Sequence, residues 1–460
     1  MSIIDWNQKT TEELEDFLKT KIILPGTEHY AGSYQGWAAT DHLPAMICAC
    51  ENTEDVQAAV VYAQKMKLKL SVRGGGHNWE GLAFADEGLV IDLTRLNSIK
   101  IDTTASVALI GGGVKSIALI AAADEHQLVA VTGPSGEVGV AGFVLGGGYG
   151  LTTPSHGLGS DNLLAAEVVM ADGSLVHTSV TENPDLLWAL RGGGGNFGVV
   201  TQLQIQLHPA KPLLAGRIMF DLKEAKQILE GYNELMKTAP DELFVLVQVI
   251  ETPDGKSTLN IAPNWFGDPE EGQLVIDRIR KLGTPLREQI SQTNMKSLLE
   301  SFAPFIINGR RIYAKTRWLT ELHPDLTAII ADAVNHKTSP LSVIGLMEIH
   351  GAATTVPLAD TAFGLRERHF VLLIGSEWTL DDDAQADSHR KWTDDLYEKT
   401  ARYSIPGGYA NLLGKGDQAQ IAHAFGSNLE KVQLLKKKFD PDGVFSAIHL
   451  PLETDKHSSK

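Results

Sequence analysis

At 460 residues the chain is too long for one ordinary hydrophobic core, so two domains are expected. Its 43% hydrophobic and 21% charged content excludes a disordered or fibrous protein. A net charge of −17 argues against nucleic acid or an anionic membrane surface as a partner.

The first twenty residues are polar and acidic, and Thr10 with Glu13 reads as a capping box opening a helix over 11–20. They lack the basic and apolar segments of a signal peptide, and no apolar run reaches the ~20 residues of a membrane span. A cytoplasmic protein is expected. Residues 44–49 read as a strand. It leads to the only two cysteines, Cys48 and Cys50, which fall on one strand face as small buried hydrophobes. Two cysteines so placed exclude a disulfide scaffold and a zinc knuckle, and no metal site is expected.

A helical run over 56–66 and a strand over 68–72 lead into Ser71-Val72-Arg73-Gly74-Gly75-Gly76-His77-Asn78. Three successive glycines can take φ > 0, and a concave nest of their N–H groups binds pyrophosphate without a cation. His77 follows where the next part of a dinucleotide would lie. At this point a phosphate loop with a cofactor-attaching histidine and a tight turn with a surface histidine both stay open. Further on come a buried strand over 88–93, an antiparallel pair over 99–102 and 107–111, a helix over 114–125 and a strand over 127–131. Together they suggest a small α/β unit.

Residues 131–150 form a second glycine-rich loop, Val131-Thr132-Gly133-Pro134-Ser135-Gly136 to Gly146-Gly147-Gly148-Tyr149-Gly150. His156 to Asn162 precede a hairpin over 165–178 turned at Asp172-Gly173. Asn183-Pro184 opens a helix over 185–190. The stretch Arg191-Gly192-Gly193-Gly194-Gly195-Asn196-Phe197-Gly198 then meets a strand whose glutamines at 202, 204 and 206 face solvent. Its G-x-G-x-x-G spacing follows a helix and opens a strand, the reverse of a nicotinamide-binding loop. His208-Pro209 ends the strand, and the boundary is expected at 210–214. Residues 211–410 read as an antiparallel sheet backed by helices, with strands at 217–222, 243–250, 257–262, 342–350 and 369–377. The helices fall at 224–237, 272–282, 295–302, 324–335 and 384–403. A helix over 429–439 returns to the first domain, and 453–460 is expected to fray.

The three glycine-rich stretches, in this order and spacing, resemble the vanillyl-alcohol-oxidase/p-cresol-methylhydroxylase flavoproteins, and within them the berberine-bridge-enzyme-like group. The resemblance implies an α+β fold with an FAD-binding domain at 1–210, completed by 411–460, and a substrate domain at 211–410. It implies FAD held by Arg73, Gly74, Gly75, Gly76, His77 and Asn78 from the first loop. Thr132, Gly133, Val138, Gly139, Ala141, Gly142, Gly148 and Gly150 would serve from the second, with Asp161, Asn162, Val199 and Asn411 from elsewhere. His77 matches the position bonded to the 8α carbon of the isoalloxazine ring. Ser135 stands where many members carry a second linking cysteine, so one covalent bond is expected. Val138 matches a gatekeeper position at which valine goes with oxygen access. The implied activity is oxidation of an alcohol, sugar or amine, with molecular oxygen reduced to hydrogen peroxide. A dehydrogenase with another acceptor, or a flavin-carrying binding protein without turnover, is the alternative.

The family's Tyr-x-Asn-Tyr stretch here reads Tyr409-Ala410-Asn411-Leu412, so its last tyrosine, a base or substrate anchor in relatives, is absent. Asn411 and Tyr409 remain candidates near the ring. A replacement base is suggested by the strand over 343–350, whose alternation puts Ile344, Leu346, Glu348 and His350 on one face. The basic run Arg310, Arg311, Tyr313, Lys315 and Arg317 reads as a solvated or ion-paired face.

Overall fold

A first, four-stranded sheet forms where short apolar runs alternate with helices. Its strands are β1 (Ile22–Ile23), β2 (Met46–Ala49), β3 (Leu70–Arg73) and β4 (Leu89–Asp92), in the order β1-β2-β4-β3. The parallel pairs β2–β4 and β3–β4 are joined through the helix Thr53–Lys65, capped by the Asn52 side chain on the Asp55 N–H. This is a computed structural model, and it describes residues 4–251 and 255–451. The tail expected to fray over 453–460 lies outside the described residues.

Strands β5 (Ile99–Asp102) and β6 (Val107–Gly111) pair antiparallel, as expected, and β7 (Leu128–Val129) is a short piece. The hairpin β8 (Leu163–Val169) and β9 (Leu175–Ser179) turns through Gly173 at φ +76°, and β10 (Val199–Gln206) lies between β8 and β6. The resulting sheet has the order β5-β6-β10-β8-β9. His208–Pro209 (β11) does not simply end a strand; it pairs with β7. Asn183 sits in the left-handed region before the helix Pro184–Leu190, and its side chain bonds the His177 carbonyl rather than a helix amide.

One large antiparallel sheet spans the rest. Its strands are β12 (Leu213–Asp221), β13 (Leu243–Glu251), β14 (Ser257–Phe266), β15 (Pro285–Thr293), β16 (Arg311–Leu319), β17 (Val343–Ile349), β18 (His369–Trp378) and β19 (Ser404–Ile405). They lie in the order β15-β12-β14-β13-β17-β18-β16-β19. Three of these strands escape sequence patterning, the two-residue β19 among them. β15 is an edge strand with only Leu286 and Ile290 among polar residues on one face, too sparse to read as apolar alternation. β16 lies within the basic run, where Arg310 pairs with Glu377, Arg311 with Asp41 and Lys315 with Asp417, while Arg317 lies over the Tyr397 ring. One face of the sheet is covered by the helices Ala225–Met236, Pro324–Val334 and Ala386–Thr400, packed through Ile228, Leu229, Tyr232, Ile330 and Leu396. The other face looks toward the glycine loops.

The helix Leu429–Phe439 closes the chain back onto the first part. Lys436 donates to the Asn196 and Phe445 carbonyls, each at 2.7 Å, and pairs with the buried Asp440. Among the described residues no helix is long and apolar enough to cross a membrane.

Candidate cofactor and active site

The first two glycine loops meet backbone to backbone. A Cβ on Gly75 would collide with the Gly139 amide, and one on Gly139 with the Gly75 amide. The glycines at 75 and 139 therefore serve first to let the loops touch, and of the Gly74-Gly75-Gly76 run only Gly76 has positive φ, +66°. Between the loops lies a cavity of about 380 Å³. Gly74, Gly75, Gly76, His77 and Asn78 line it from one side. Gly133, Val138, Gly139, Ala141 and Gly142 line it from the other, and Val199, Tyr409 and Asn411 also reach it. At Gly142 the space a side chain would fill is open.

Not every residue expected at the cofactor lines this cavity. Arg73 instead binds the Ser33 carbonyl at 2.7 Å and Asp92 at 3.3 Å, which braces the end of β3. Thr132 is buried behind the second loop. Gly148 donates its N–H to Tyr409 Oη at 3.1 Å, and Gly150 donates to Thr153 Oγ1 at 2.7 Å. Asp161 forms a two-oxygen pair with Arg366, at 2.6 and 2.8 Å, and caps the Leu158 amide. Asn162 bonds the His156 and Leu158 carbonyls and His208. These residues shape the second loop and its flank and do not themselves line the cavity.

Residues 445–448, remote in sequence, supply another wall. Asn196 Oδ1 accepts from the Ala447 and Ile448 amides and holds them there. That polar clasp inside the third glycine stretch was the available signal, but its partner lies some 250 residues away.

His77 stands at the mouth. Its ring stacks on Trp37 with centroids 4.3 Å apart and planes 14° apart, and Ser135 Oγ lies 3.3 Å from Nε2. Burial lowers its pKa to about 4, so the imidazole is neutral with a free lone pair near neutral pH. His77, Trp37, Trp79, Pro134, Ser135 and Leu412 also line a second cavity of about 590 Å³, which opens over the large sheet.

Strand parity decides the fate of the proposed base. On β17, Val343 and Met347 point to the cavities, so Glu348 and His350, on the other parity, both face away from them. Glu348 turns to the helix-covered face, where it pairs with Arg368 and sits 3.4 Å from His350 Nδ1. Arg368 in turn donates to the Met236 and Lys237 carbonyls at the end of the helix Ala225–Met236. Neither Glu348 nor His350 lines either cavity. The expectation that they abstract a proton is corrected: they tie β17 to a helix end.

Another pair occupies the cavity side. Tyr149 lines the smaller cavity, and its Oη lies 2.8 Å from His369 Nε2. The Glu367 carbonyl accepts from His369 Nδ1 at 2.7 Å, which leaves Nε2 as the acceptor for the tyrosine proton. Burial holds the Tyr149 hydroxyl well above its usual pKa and lowers that of His369 to about 4. Tyr409 packs on Tyr149 at 4.4 Å, and its Oη accepts from Asn411 Nδ2 at 2.9 Å. Asn411 also reaches the Phe143 carbonyl at 3.3 Å, so this couple fixes the second loop against the C-terminal segment.

Comparison with known proteins agrees with this architecture. Residues 44–179 match the family described as FAD binding domain. The chain is 38% identical to (R)-6-hydroxynicotine oxidase of Paenarthrobacter nicotinovorans over 279 residues, which span 60% of this chain and 61% of that one. It is 33% identical to glucooligosaccharide oxidase of Sarocladium strictum over 454 residues, covering 89% of this chain and 87% of that one. The crystal structure of 6-hydroxy-D-nicotine oxidase from Arthrobacter nicotinovorans superposes with a TM-score of 0.85 at 28% identity, covering 93% of this chain and 96% of that one. The chain thus belongs to the berberine-bridge-enzyme-like FAD-linked oxidoreductases of the vanillyl-alcohol-oxidase/p-cresol-methylhydroxylase flavoproteins.

Proposed function

We propose that the protein is an oxidase whose FAD lies in the smaller cavity, bonded to the chain through His77 alone, and whose substrate enters the larger one. The observation that carries this reading is the place of His77, a neutral imidazole clamped by Trp37 where the two cavities join. The residues present fit the group: two loops in backbone contact border a cavity of about 380 Å³, and Gly142 keeps it open. Ser135, 3.3 Å from His77, carries no thiol and so offers no second bond. When bound, FAD would take a hydride from an alcohol, sugar or amine carbon and return two electrons to oxygen as hydrogen peroxide.

The chain's own part is to hold the substrate and remove its O–H or N–H proton. Tyr149 lines the smaller cavity, so it would take that proton where the substrate's reacting end meets the flavin, while passing its own to neutral His369 Nε2. A proton handed inward in this way leaves no phenolate stranded in an apolar wall. Asn411 and Tyr409 stiffen the loop that carries Val138, the residue read as admitting oxygen.

A screen of alcohols, sugars and cyclic amines tests the reading. Peroxide should form under air in step with substrate loss. Turnover seen only with an artificial dye would make the protein a dehydrogenase. Failure of every compound to bleach the flavin without air would favour a binding protein.

A further inference from the structure

The larger cavity holds a positive charge that no carboxylate among the described residues answers. Of the ionic groups along its wall, Arg310 pairs with Glu377 at 3.3 Å and Glu251 with Lys337 at 3.6 Å. Among the described residues Arg217 has no acidic partner; its guanidinium lies 4.9 Å over the Phe305 ring. Arg217 sits on β12 beside Gln289 of β15, and both line the cavity. Nearby on the same floor, Asn260 pairs in register with Gln248. Asn260 is 4% exposed, and its Oδ1 has no hydrogen-bond partner. A buried acceptor left bare costs free energy that a ligand donor would recover. At the rim, Phe305 and Ile307 expose apolar surface, 53% and 47%.

We propose that the substrate is an alcohol or amine that carries a carboxylate, held by the Arg217 guanidinium on the floor of the larger cavity. A further N–H or O–H donor on the molecule, apart from the group that is oxidised, bonds Asn260 Oδ1, and Phe305 lies against its apolar body. A planar fork of N–H donors matches a carboxylate geometrically. A phosphate dianion fits less well, because Glu251 and Glu377 line the same space. The overall charge of −17 repels anions at long range, but salt screens that field beyond ~8 Å, and the guanidinium acts at contact. This rests on reading the larger cavity as the substrate chamber.

Calorimetric titration of the purified protein with 4-phenylbutanoate, its amide and 3-phenylpropyl phosphate tests the proposal without using the flavin. The acid should bind about tenfold more tightly than the amide. Arg217→Gln should equalise the two, and Arg217→Lys, as a folding control, should keep part of the preference. Equal binding of acid and amide, no binding of the acid, or a preference that survives Arg217→Gln overturns the proposal. Tighter binding of the phosphate ester overturns the carboxylate assignment. Colourless protein that still prefers the acid would sink the flavin reading and leave only a carboxylate site at Arg217, whereas yellow protein without the preference would sink that site and leave the flavin reading.

Discussion

The proton path proposed through Tyr149 and His369 has a measurable pH signature. His369 must be neutral to receive a proton, and burial lowers its pKa to about 4. Because its pKa is depressed, the competent form is present at neutral pH and is lost only as pH falls through about 4. A kcat/KM profile flat between pH 8 and 5, with its acid limb near 4, is therefore expected. A limb at 6–7, where an ordinary histidine titrates, would remove His369 from this role. Tyr149→Phe should lower kcat about a hundredfold or more while leaving the flavin spectrum in place. Full activity in that variant would transfer the proton to another group.

Alternation along β17 put Glu348 and His350 on one face correctly, and the structure keeps them together. What alternation does not contain is which face meets the cavity. That is decided by the helix Ala225–Met236, whose terminal carbonyls need Arg368 and hence Glu348. The glycine loops were more legible, because tolerance of close backbone approach is written in the residue type itself. Even there the partner was hidden: Gly75 and Gly139 face each other, which only the assembled loops reveal. Gly139→Ala should push the loops apart and cost most of the bound flavin, read as the ratio of flavin to protein absorbance. Retention of full flavin content would mean the contact is dispensable. Asp161 and Arg366 join the second loop to the segment before β18 through a buried two-oxygen pair. Arg366→Ala leaves that carboxylate uncompensated and should destabilise the protein by about 3–5 kcal/mol in denaturant unfolding. A loss below ~1 kcal/mol is what a solvent-screened pair would give.

At the scale of the molecule, one cavity between the glycine loops opens into a second over the large sheet, and His77 stands at the junction. The longer helices and most strands followed from local periodicity, but the helix Val140–Leu145 inside the stretch read as a second glycine loop did not, and the edge strand β15 and the wall at 445–448 depend on neighbours distant in sequence. The central claim is that the His77 imidazole is bonded to a flavin ring. Acid precipitation of the purified protein tests it most directly. The account predicts a yellow pellet over a clear supernatant, and for His77→Ala a pale pellet with the colour released. Wild-type protein that is colourless, or whose pigment washes free on denaturation, would contradict it.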